Sequence, residues 1–65
     1  MELLDVVTLA ADLPEEGLRA GAIGTIVHVF ERPRRAYEVE FVDREGQTVA
    51  MVTLGPEQIR PGPTP

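Results

Sequence analysis

Gly21-Ala22-Ile23-Gly24-Thr25-Ile26-Val27-His28-Val29-Phe30 leads, through a short charged loop containing Pro33, into Ala36-Tyr37-Glu38-Val39-Glu40-Phe41-Val42-Asp43. Both arms are rich in β-branched and aromatic residues, which suit a pleated, half-buried surface. In the second arm Tyr37, Val39 and Phe41 alternate with Glu38, Glu40 and Val42, a period of two that marks a strand with one face in a core. Gly21 and Gly24 open the first arm, and glycine inside a strand marks a bulge, a bend or a close backbone approach. The pattern predicts the central hairpin of a small, strongly bent, five-stranded β-barrel of the SH3-like kind.

Working outward, Val6–Leu9 reads as the first strand. Ala10 to Ala20 is a long first loop with a Pro14-initiated turn, Gly17 placed for positive φ, and Leu13 and Leu18 as anchors into the core. Asp43-Arg44-Glu45-Gly46-Gln47 reads as a tight hairpin loop, and Thr48–Leu54 as the fourth strand. Gly55-Pro56-Glu57-Gln58 fits one helical or 3₁₀ turn with proline at its first position, ahead of a short closing strand at Ile59 and Arg60. The expected domain is residues 1–60, with 61–65 a frayed, disordered proline-rich tail. The expected core is Val7, Leu9, Leu13, Leu18, Val27, Val39, Phe41 and Leu54, with Tyr37 partly buried.

At 65 residues the chain is one domain at most, and a core of this size is marginal without a staple or a partner subunit. Cysteine is absent, which removes disulfides and thiolate metal sites and fits a cytoplasmic location. The start Met1-Glu2-Leu3-Leu4-Asp5 is acidic and lacks a long apolar run, so no secretion signal is expected, and no segment is apolar enough to span a bilayer. The net charge of −5 opposes general nucleic-acid binding, which depends on cationic side chains releasing counterions. All six basic residues are Arg, and Lys, Ser, Asn, Cys and Trp are missing, so serine, cysteine and lysine nucleophiles are missing too.

Taken in order, Leu3-Leu4-Asp5-Val6-Val7, Asp12-Leu13-Pro14-Glu15, Gly21-x-x-Gly24-Thr25-Ile26-Val27, Tyr37-Glu38-Val39-Glu40-Phe41-Val42-Asp43 and Gly46-x-Thr48 resemble the bacterial family called domain of unknown function 4926. The resemblance runs from about Leu3 to Ile59. It implies a small stand-alone bacterial protein with no assigned activity. The Arg32–Arg35 loop is more basic than the family pattern. More loosely, Gly21-x-x-Gly24-Thr25-Ile26-Val27 is similar to the start of a KOW motif, whose SH3-like modules often contact RNA or ribosomal protein.

Four groups of residues could carry chemistry. His28, the single histidine, would need Glu38 and Glu40 from the neighbouring strand to make a metal or acid–base cluster, against the plain reading of an exposed surface histidine. Arg32, Arg34 and Arg35, with Tyr37 beside them, form a candidate anion contact, since guanidinium forks pair bidentately with phosphate and an aromatic ring can stack a base. The plain reading is a solvated loop that offsets the acidic first loop. Asp12, Glu15 and Glu16 offer an acidic lip, or else a turn cap with two solvated carboxylates. Leu3, Leu4, Val6, Val49 and Met51 form a candidate interaction surface. One small barrel has room inside for a single set of alternating side chains, so some of these must face outward unless the bend buries both faces.

The chain lacks a nucleophile with a base, a recognisable metal set and a phosphate-cradling glycine loop, so neither catalysis nor a cofactor is expected. The leading expectation is a small protein-interaction module that self-associates and serves an unidentified protein partner, as an accessory or an antitoxin-like partner of an operon neighbour. The alternative is a KOW-like module contacting RNA or the ribosome through Arg32, Arg34, Arg35 and Tyr37. A ligand- or metal-binding barrel at His28 is a third option.

Overall fold

The computed structural model describes residues 1–62. The fold is all-β, with five antiparallel strands: β1 (Val6–Leu9), β2 (Ile23–Phe30), β3 (Ala36–Val42), β4 (Thr48–Leu54) and β5 (Ile59–Pro61). A 3₁₀ turn, Pro56–Gln58, precedes β5 as the Gly55-Pro56 pair predicts, and a second, Pro14–Glu16, lies in the first loop. The strand order is β4-β3-β2-β1-β5, and β4 and β5 are the two ends of the sheet. The expected SH3-like barrel is thus realised as one bent sheet whose end strands form no ladder with each other among the described residues.

The inner face carries Val7, Leu9, Leu18, Ile26, Tyr37, Val39, Phe41, Leu54 and Ile59, all buried. Cross-strand rows explain the packing. Val7 faces Gly24, which faces Phe41 and then Ala50, and the next row runs from Ile26 through Val39 to Val52. Gly24 sits beside β3, where a Cβ would lie 2.7 Å from Val39 Cγ1 and 3.0 Å from both the Glu40 carbonyl and Phe41 Cδ1. Its missing side chain is therefore what lets the large ring opposite fill the core.

Four expectations need correction. Val27 is only half-buried and Ile26 takes the core position, because Gly24 and Ile26 share the inward parity set by their β3 partners Phe41 and Val39. Val27 is the extra residue of a β-bulge, which resets the inward parity for the rest of the strand. Tyr37 is 3% exposed instead of partly so, and Leu13 is half-buried, tied to Leu18 by a two-way backbone bridge. The domain also extends past residue 60. Pro61 pairs with Val7, and the Gly62 N–H donates to the Val6 carbonyl at 2.8 Å. Proline is tolerated there because β5 is an edge strand. Residues 63–65 of the expected tail lie outside the described residues.

Candidate interaction surface

Two 3₁₀ turns, two hairpin loops and the first few residues decorate this sheet, and the candidate groups sort themselves among them. At the N-terminus Glu2 to Asp5 form a tight turn. The Asp5 N–H donates to the Glu2 carbonyl at 3.0 Å, and the Glu2 N–H donates to Asp5 Oδ2 at 2.8 Å. The Leu4 N–H then donates to the Ile26 carbonyl at 2.7 Å, which pins the turn beside β2. Leu4 has φ of +71°, a left-handed conformation that costs a non-glycine residue about 1–3 kcal/mol. Its side chain is 70% exposed, and Leu3 beside it is exposed as well. Val6 follows on the outer face of β1, 47% exposed.

Val49 and Met51 are also exposed, on the end strand β4. All five residues expected to be surplus to the core therefore lie on the surface, but they do not form one patch. The outer-face row that begins at Val6 runs through Thr25 and Glu40 to Met51. Along the sheet those three strand steps amount to roughly 14 Å. The polar strip is held in place from β4, where the Thr48 hydroxyl donates to Glu40 and the Thr53 hydroxyl to Glu38. Leu3, Leu4 and Val6 lie on one side of it, Val49 and Met51 on the other. Ile23, Phe30 and Val42 are exposed too, and sequence reasoning did not single them out. The outward parity of Phe30 follows once the bulge at Val27 is known, whereas Ile23 and Val42 face outward by plain alternation with Gly24 and Phe41.

The arginine loop is divided. Arg35 is engaged within the fold: its Nε donates to the Tyr37 hydroxyl at 2.8 Å and one terminal nitrogen donates to Glu31 Oε1 at 3.1 Å. The other terminal nitrogen reaches the Met1 carbonyl at 3.3 Å, and the guanidinium carbon stands 5.6 Å from the centre of the Tyr37 ring. The Tyr37 hydroxyl first, and Glu31 next, raise the Arg35 pKa above its ordinary value. Tyr37 itself is in the core, so its ring has no open face on which a base could stack, which corrects the expected role of this residue. Arg32 and Arg34 remain exposed, with no ion pair among the described residues.

His28 stands directly opposite Glu38, whereas Glu40 stands opposite Thr25, so the register brings one carboxylate to the ring instead of two. The imidazole packs edge-on against Phe30 with ring centres 4.5 Å apart. Among the described residues no group of three His, Cys, Asp or Glu is placed to hold a metal ion. In the first loop Asp12 Oδ1 accepts the Ala20 N–H at 2.8 Å and so closes the base of the loop, while Glu15 and Glu16 are exposed. Among the described residues no helix is long and apolar enough to cross a membrane.

The family model described as Domain of unknown function (DUF4926) matches residues 3–61 of the chain. Neither the curated proteins nor the solved structures contain a match.

Proposed function

Since the chain belongs to the DUF4926 family, whose description names no activity, we propose from its surface that it is a small, non-catalytic, cytoplasmic protein-interaction module of bacteria. It serves an operon neighbour as an accessory or antitoxin-like partner. The observation that carries this reading is the Leu3–Leu4 turn. The backbone holds Leu4 at φ of +71° while leaving its side chain 70% exposed. Strain kept at a position where it buries nothing within the fold is a feature of binding positions. With Val6 next to it, the turn offers a partner a compact apolar contact rimmed by Glu2 and Asp5, the arrangement of an interface core with a polar edge. The test is co-expression with the product of the adjacent gene, followed by gel filtration. The two chains should elute together, and Leu3→Glu with Leu4→Glu should separate them. Separate elution of the unaltered chains would contradict the reading.

One observation favours the KOW-like alternative. Arg32 and Arg34 sit at a hairpin tip with no ion pair among the described residues, available to a phosphate or a carboxylate. Against it stand the loss of Arg35 and Tyr37 to the fold's own contacts and the net charge of −5.

A further inference from the structure

We infer that the free edge of β4 pairs with β4 of a second copy, joining two sheets into one. The inference rests on the interaction-module reading above and supplies its self-association surface. It starts from the strand order, which leaves two edges, β5 and β4. The β5 edge carries the usual protections, being three residues long with a charge at Arg60 and a proline at Pro61. The β4 edge carries almost none. Thr48-Val49-Ala50-Met51-Val52-Thr53-Leu54 holds seven residues without a charge, a proline or a glycine. A neutral, β-branched segment on an open edge is a template for another strand.

The core gives a second, independent reason. Along the inner-face rows Phe41 and Val39 of β3 are buried, but their β4 neighbours Ala50 and Val52 are only partly covered. The inner layer is closed at Leu54, which is buried opposite Tyr37, but is left partly open at the β4 edge along Ala50 and Val52. An added strand would continue both the backbone ladder and the inner layer.

A second copy is the occupant that fits. The register of β4 with β3 is regular from Ala50 to Leu54 and shifts at Val49. A two-fold axis at the middle of that run, Val52, sets Ala50 against Leu54 of the other copy and Val52 against itself on the inner face. On the outer face it sets Met51 against Thr53. Every pair is neutral, and small faces large at Ala50 and Leu54. Antiparallel pairing of one strand with itself also closes as a dimer, the commonest symmetry of soluble oligomers. Along its length the strand brings no like charges together, although each copy carries −5 overall.

The experiment combines light scattering with backbone amide exchange at low and high concentration of the full chain. The expected result is a twofold rise in mass at high concentration, accompanied by slowed exchange across β4, including those amides that do not serve β3. Met51→Glu and, separately, Thr53→Lys should return the mass to that of one copy. Both side chains are on the outer face, and light scattering is read only with a melting curve that shows each variant folded. A doubled mass with β4 exchange unchanged would overturn the edge pairing while leaving self-association standing. A single-copy mass at all concentrations, or a dimer indifferent to both substitutions, would also overturn it. None of these outcomes touches partner binding at the Leu3–Leu4 turn, which co-elution tests separately.

Discussion

Val6 and Met51 occupy one cross-strand row on the outer face of the sheet, with Thr25 and Glu40 between them. This placement splits the exposed apolar residues into an N-terminal group and a β4 group. The two can be altered independently.

Leu4→Gly should leave stability within about 1 kcal/mol of the parent, or raise it. Glycine relieves the left-handed backbone but adds freedom to the unfolded chain, and the two effects are of similar size. The lost side chain is 70% exposed, so little packing goes with it. Urea denaturation measures this, and partner co-elution of the same variant should fail.

Phe41→Ala should cost about 3–5 kcal/mol, as truncations of buried aromatics do. Phe41 is among the largest fully buried side chains, and a domain of this size has little stability to spare. A thermal melt should show loss of the folded baseline at room temperature or a midpoint lowered by many degrees.

Gly24→Ala should destabilise the fold, and Gly24→Val should do so more strongly. A methyl group at this position would stand 2.7 Å from Val39 Cγ1 with the Glu40 backbone at 3.0 Å. Small-to-large changes in a packed core cost about 1–3 kcal/mol. Denaturation midpoints of the two variants against the parent measure the effect.

Ile26→Ala and Val27→Ala test which of the two β-branched neighbours faces the core. Ile26→Ala should cost about 2–5 kcal/mol, and Val27→Ala clearly less, because Val27 is the half-buried extra residue. Equal losses would mean that Val27 packs into the core as fully as Ile26 does.

This last pair also marks where the sequence stops being legible. β1 and β4 are readable to the residue, since Val6–Leu9 and Thr48–Leu54 are apolar runs bounded by turn residues. The alternation in β3 and the turn at Gly55-Pro56 are equally plain. In β2 the run Ile26-Val27-His28-Val29 offers two β-branched neighbours, either of which suits a core, and periodicity has no means of announcing an inserted residue. The same limit hides the outward parity of Phe30. Pro61 misleads for a different reason: it lacks an N–H, but an edge strand needs none on its open side. At the surface, counting apolar residues against one interior says only that some of Leu3, Leu4, Val6, Val49 and Met51 face outward; that all five do is a finding of the fold. Their division into two groups needs the register of three strand pairs, which only the fold supplies.

The measurement that bears most directly on the central claim is calorimetric titration of this chain with the protein encoded by the adjacent gene, at several temperatures. Binding through an apolar contact at Leu3, Leu4 and Val6 predicts a negative heat-capacity change on association. That change should disappear with Leu3→Glu and Leu4→Glu and persist with Arg32→Glu and Arg34→Glu. Association that survives the leucine substitutions and is lost with the arginine ones would contradict the account and move the function to the basic loop.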